Sequence, residues 1–222
     1  MTRLITRAAG RLQRLFESKP RSGIEYWEQR AKKFGRRSVL NIGHSEEEME
    51  KVTQWQKEIL FPLLRRQLTG TEKTILDFGC GPGRFTRDLA ELIHGKAIGV
   101  DPVERFLKMA PRDDRVEYRH LSGGRIPCAA ASMDMAWICL VFGGLTDPQS
   151  LDTAVQEIDR VLKPGGLLFL VENTSKKPDA DYWRFRSPDA YRQLFRFALL
   201  AVMSQYNDLG ETITVMAGRK NV

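Results

Sequence analysis

The chain has 222 residues, 42% of them apolar and 28% charged, which allows one domain with a substantial core plus an appendage. Its longest uninterrupted apolar run, MAWICLVF at 135–142, falls far short of the roughly 20 residues of a membrane span. Three cysteines without a CxxC pair argue against a zinc site or a disulfide framework and fit a reducing, cytosolic setting. The net charge of +7 is uneven: residues 1–37 hold 11 Lys/Arg against 3 Asp/Glu, and the rest hold 24 against 25.

Residues 1–19 read as a basic amphipathic helix. Leu4, Ile5, Ala8, Ala9, Leu12, Leu15 and Phe16 recur at three- and four-residue steps, with Arg3, Arg7, Arg11 and Arg14 off that stripe. Three roles fit it: packing on its own domain or on a homodimer mate, peripheral contact with an anionic membrane, or an organellar transit peptide. PRSG at 20–23 interrupts the pattern. Residues 20–70 then form a helical cap, with one short helix in IEYWEQRAKKFG and a second introduced by SEEE, where Ser45 and Glu48 spell a capping box. Met49, Val52, Trp55, Ile59, Leu60, Leu63 and Leu64 give the second helix its apolar face, Pro62 marks a kink and Gly70 closes it.

From Lys73 onward strand and helix alternate, and 71–222 reads as one domain. Strands are expected at 74–78, 97–100, 115–120, 134–142 and 167–171, and helices at 84–94, 103–110, 148–162 and 187–197. Two further strands, at 199–206 and 212–218, flank the turn NDLGE. Regular βα alternation predicts a doubly wound parallel α/β sheet, and the closing pair an antiparallel edge.

The stretch ILDFGCGPGRF at 75–85 joins the first strand to its helix. It lacks GxxxxGK[ST], so it is no P-loop, and neither glycine register completes GxGxxG. What stands is Asp77-x-Gly79-x-Gly81-x-Gly83, with Asp101 at the next strand tip, 22 residues past Gly79. That acid has the spacing of a ribose-binding carboxylate, so the ligand reads as an adenosine without a phosphate anchor. The alternative is a purely structural turn, with Asp101 capping the helix after Pro102.

Four segments in order, ILDFGCGPGRF, GVDP, IPCAAASMDMAWICL and DRVLKPGGLLFLVE, resemble the motifs of class I S-adenosylmethionine-dependent methyltransferases, particularly the small-molecule type-11 group, over about 74–171. The resemblance implies a Rossmann-like seven-stranded sheet of order 3-2-1-4-5-7-6 with its last strand antiparallel, and S-adenosyl-L-methionine as cofactor. It also implies that Gly79, Gly81 and Gly83 form the cofactor turn and that Asp77 orients the turn and the methionine amino group. Asp101 would hold the ribose, and the loop 121–124, including Ser122, would cover the adenine. Two departures stand out. Ser122 occupies a place where many relatives carry an acid, and Gly143 and Gly144 stand where many carry a histidine after the fourth strand.

A small-molecule, glycan or lipid-linked acceptor, methylated on O or N, follows as the expectation, with no metal. His44, in the cap segment, is the candidate base, and Glu172 and Asn173 at the fifth strand tip are alternatives. His94 reads as a partner of a helix C-terminus, and His120 falls on the adenine side. The insert around 173–187, NTSKKPDADYWRFRSPDAY from Asn173, offers Tyr182, Trp183 and Phe185 as an aromatic acceptor wall, with Arg184 and Arg186 as partners for an anionic group. Tyr26, Trp27 and Arg30 are further lid candidates. Nucleic acid is a weaker reading, because the body is neutral and CLVFGG replaces the [DN]PP[FY] of base-amino methyltransferases. A non-catalytic cofactor-binding protein is the remaining alternative.

Overall fold

The computed structural model describes residues 23–222. The basic segment expected over 1–19 therefore lies outside the described residues. Two helices, α1 (Gly23–Phe34) and α2 (Met49–Arg65), precede the sheet domain. The strands are β1 (Thr74–Phe78), β2 (Lys96–Asp101), β3 (Val116–His120), β4 (Met133–Cys139), β5 (Leu162–Asn173), β6 (Ala201–Asp208) and β7 (Glu211–Arg219). Between them run α3 (Thr86–Leu92), α4 (Glu104–Met109), α5 (Pro148–Val161) and α6 (Pro188–Leu194).

One seven-stranded sheet has the order β3-β2-β1-β4-β5-β7-β6. The five strands β3, β2, β1, β4 and β5 pair in parallel, and β7 pairs antiparallel with both β5 and β6. This is the expected Rossmann-like architecture. The central strands β1 and β4 are nearly continuous apolar runs because both faces are covered. Leu76, Phe78, Ile138, Ile158 and Leu170 fill one face, and Leu60, Phe61, Leu89, Trp137 and Phe169 fill the other, under α2 and α3. Trp137 and Phe169 stack across neighbouring strands with centroids 5.1 Å apart.

Several boundaries differ from the sequence expectation, and each has a local cause. β4 ends at Cys139, three residues early, because Leu140 adopts φ 59° and the chain enters a 3-10 turn at Phe142–Gly144. β5 begins at Leu162, since the KPGG stretch stays laddered: Met133 pairs with Leu162, and Gly165 N–H donates to Lys220 O. α3 starts only at Thr86, leaving Arg84 and Phe85 in the turn. α2 starts at Met49, and half of the capping box forms, with Ser45 N–H donating to Glu48 Oε2 at 2.7 Å. Ser187 caps α6 by accepting from Ala190 N–H, and that helix stops at Leu194, short of the expected 197.

Candidate active site

The glycine turn leaves the tip of β1, where open parallel sheets bind ligands. Gly79, Gly81 and Gly83 have φ of 69°, 53° and 71°, a region that other residues enter only with strain. Gly79 and Cys80 both donate their amides to Val100 O, at 2.8 and 3.1 Å, which ties the turn to β2. Close approach is used at all three glycines. A Cβ on Gly79 would lie 2.5 Å from the Val141 side chain, one on Gly81 3.0 Å from Val39, and one on Gly83 2.3 Å from the Tyr118 hydroxyl. Gly79 thus faces the tip of β4, Gly81 faces the cap, and Gly83 packs toward β3.

Asp101, the last residue of β2, is buried and holds the turn from below. Its Oδ2 accepts from Gly81 N–H at 2.9 Å and its Oδ1 from Val103 N–H at 2.8 Å. Burial pushes its carboxyl up to about 6 against the pull of those two amides. Asp77 is also buried and accepts from the Thr86 hydroxyl at 2.6 Å. Burial, with the nearby Asp101 charge adding to it, pushes Asp77 up to about 7. Ser122 sits exposed in the turn after β3, where the neighbouring Leu121 N–H donates to Asp101 O.

The cap reaches this turn through a strap. Residues 35–44 run from Val39, against Gly81, to the β6–β7 hairpin. There Gly43 packs on Leu209, Asn41 Nδ2 donates to Asp208 O, and His44 Nε2 lies 2.7 Å from Asp208 Oδ1. Arg37 braces the strap by donating to Ile42 O and His44 O. His44, the candidate base from sequence, is therefore one half of a buried pair with Asp208. Arg84, just past Gly83, bonds Thr53 Oγ1 at 3.0 Å and also Gln56 Oε1, joining the turn to α2.

Beyond β4 the Gly143–Gly144 pair is covered by rings. A Cβ on Gly143 would fall 2.1–2.6 Å from the Trp183 indole, and one on Gly144 3.1 Å from Trp27 Nε1. Tyr26 stacks on Tyr182 with centroids 4.4 Å apart and planes at 8°, and Tyr26 meets Trp27 edge-on. The insert and α1 thus converge on these glycines, and Tyr182, Trp183, Tyr26 and Trp27 form one wall. The arginines do not present free cations to it. Arg184 turns back onto its own loop, donating to Ala180 O at 2.5 Å, and Arg186 donates to Phe142 O and Leu145 O at 2.6 and 2.9 Å. Arg30 is spent on Ser38 O and the Tyr26 hydroxyl. Both guanidiniums thus spend donors on turn carbonyls, of which Ala180 O also accepts from Trp183 N–H and Phe142 O from Leu145 N–H, and Arg184 Nε lies 3.7 Å from Asp179 Oδ2.

Of the alternative bases, Asn173 is engaged with Glu211 and with Ser175 N–H. Glu172 is fully buried, and its carboxylate gathers the amides of Val141, Phe142 and Gly143 together with the Tyr191 hydroxyl. Nothing in the sequence pointed to that convergence, nor to Asp208 or to Trp27 against Gly144. Among the described residues no group of three or more His, Cys, Asp or Glu is placed to hold a metal ion.

A family model described as a methyltransferase domain matches residues 76–170, the span from β1 almost to the end of β5. The chain carries a class I S-adenosylmethionine-dependent methyltransferase domain. The thiol S-methyltransferase of Rattus norvegicus is 31% identical over 136 residues, 57% of this chain and 53% of that protein. A demethylmenaquinone methyltransferase of Lactococcus lactis is 34% identical over 115 residues, 48% of this chain and 44% of that one. The chain therefore spans about half the length of these curated relatives. The PH0226 protein of Pyrococcus horikoshii shares the fold, with a TM-score of 0.63 and 18% identity over 87% of this chain and 99% of that one. The methyltransferase domain accounts for the glycine turn and its acids. The strap 35–44 lies outside the matched span, as do the insert that carries Tyr182 and Trp183 and the β6–β7 hairpin.

Proposed function

We propose that the chain transfers a methyl group from S-adenosyl-L-methionine to an uncharged small-molecule acceptor seated against the aromatic wall. The observation that carries the cofactor half is Asp101. It holds Gly81 and Val103 yet keeps lone-pair capacity, since an ionised carboxylate accepts about four hydrogen bonds. The residues present fit this cofactor: Asp101 for the ribose hydroxyls, the Gly79–Gly81 main chain for close approach, Asp77 beneath the turn and Ser122 on the adenine side. When bound, the cofactor supplies a methyl group already activated on a sulfonium.

The task left to the protein is alignment and exclusion of water. Alignment contributes on the order of 7–11 kcal/mol in favourable cases. Tyr26, Trp27, Tyr182 and Trp183 offer flat apolar surface from two elements, and Arg30, Arg184 and Arg186 beside them are engaged with main-chain oxygen, a ring hydroxyl or the Asp179 carboxylate. A flat, uncharged acceptor matches that lining better than a carboxylate or phosphate. The two relatives, named for a thiol and for a demethylmenaquinone, agree with an uncharged acceptor. With His44 paired to Asp208, no free imidazole faces Gly143–Gly144 among the described residues, which favours an acceptor atom that is itself a good nucleophile.

Calorimetry with S-adenosylmethionine, S-adenosylhomocysteine and NAD tests the cofactor. Binding of the first two and not the third is expected, and the reverse ends the proposal. A methyl-transfer screen over aromatic thiols, phenols and hydroquinones, set beside sugar phosphates and carboxylic acids, tests the acceptor. Turnover confined to the charged set refutes the uncharged class.

A further inference from the structure

We propose that Glu172 is a positioning residue of this site: its carboxylate sets the main chain of 141–143, which carries one wall of the cofactor turn and the floor of the aromatic wall. The inference rests on reading the glycine turn as the cofactor site. β4 ends at Cys139, and Leu140 turns through a left-handed conformation while its amide still donates to Val171 O. The next three amides have no strand to pair with, and burial makes unpaired amides costly. Glu172, next to last in β5, supplies the acceptors. Oε1 accepts from Val141 N–H at 2.8 Å and from Phe142 N–H at 2.7 Å, and Oε2 lies 3.4 Å from Gly143 N and 3.3 Å from the Tyr191 hydroxyl.

Both ends of that three-residue segment touch the proposed ligands' sites. Val141 closes on Gly79, and Gly143 lies under the Trp183 indole. A shift of the segment therefore moves the cofactor wall and the acceptor floor together. An ionised carboxylate suits four donors, whereas a protonated one or an amide turns one of its groups into a donor facing N–H. Burial pushes the Glu172 carboxyl up to about 7, with the three amides and Tyr191 holding it back from going higher. The groups facing it are Tyr191 from α6, Arg186 of the insert beside Tyr191, and the Cys139 thiol of β4. Arg186 grips the same turn from its carbonyl side, at Phe142 O and Leu145 O.

The test compares wild type with Glu172→Gln in S-adenosylhomocysteine affinity from pH 5.5 to 8.5, and follows the backbone amide resonances of Val141 and Phe142 by NMR. Taking the ratio of the two affinities cancels the titrations of Asp77 and Asp101, which both proteins share. The expected ratio is about tenfold at pH 8, falling below twofold at pH 5.5, where wild-type Glu172 also carries a proton. The resonances of the two amides shift with a midpoint near pH 7 in wild type, as the carboxyl titrates, and not in the variant. Tyr191→Phe, which keeps every amide donor, moves that midpoint to higher pH. A lowered melting temperature with a pH-independent ratio would assign Glu172 a purely structural role and overturn the proposal, as would amides that do not titrate. If wild type binds no S-adenosylhomocysteine at any pH, the cofactor reading fails, and the amide titration alone decides the role of Glu172.

Discussion

Replacing Asp101 by Asn probes the cofactor site with little change of shape. The carboxylate has two duties: it holds Gly81 N–H and Val103 N–H, one on each oxygen, and it is the proposed acceptor for the ribose. Asn keeps one oxygen and turns the other into an NH2 facing a backbone N–H. One buried amide loses its partner, at a cost of about 1–3 kcal/mol. In the ligand complex the ribose hydroxyls lose a charged acceptor, worth about 1.5–3 kcal/mol for each such bond. With tenfold in Kd for every ~1.4 kcal/mol, loss of one bond weakens S-adenosylhomocysteine roughly 10- to 100-fold. The measurements are calorimetry at pH 8, where a carboxyl at about 6 is ionised, and the melting temperature without ligand. A lower melting temperature with affinity unchanged within twofold would refute the ribose assignment and leave Asp101 as a staple for the turn.

Three other outcomes follow from the geometry. In Gly143→Ala the new methyl occupies space held by the Trp183 indole, so overpacking costs about 1–3 kcal/mol and Trp183 fluorescence shifts to the red. On a Trp183→Ala background the Gly143→Ala substitution costs little further, and an undiminished cost there would show that the strain lies elsewhere. Asp77 holds its proton up to about 7 when folded, against an ordinary 3.8, so its contribution to stability falls as pH rises between those values. Asp77→Asn removes that fall, and without ligand the variant melts above wild type at pH 8 but not at pH 4; melting below wild type at pH 8 contradicts the assignment. His44→Ala unties the strap from Asp208, and stopped-flow mixing should record S-adenosylhomocysteine leaving about tenfold faster. Unaltered dissociation with turnover lost would sink the strap role and favour a base.

What the sequence revealed and what it hid divide along range. The parallel sheet was legible because buried strands such as Ile75–Phe78 and Met135–Ile138 are near-continuous apolar runs punctuated by glycine turns. Asp77 and Asp101 were legible because each stands a fixed number of residues from the glycines, so chain spacing encodes their place. His44 drew notice as a residue type, but its partner Asp208 is 164 positions away and carries no local signal. Arg186 shows the same limit of range. Alternation in YWRFR places rings and cations on opposite sides, yet Arg186 ends on the carbonyls of Phe142 and Leu145, about 40 residues back. The double glycine after β4 had a cause that spacing could not show. Trp183 and Trp27 arrive from opposite ends of the chain and need the room that two absent side chains leave. A histidine at Gly143 would put its Cβ 2.1–2.6 Å from the Trp183 indole, so a side chain at that position and this aromatic wall exclude each other.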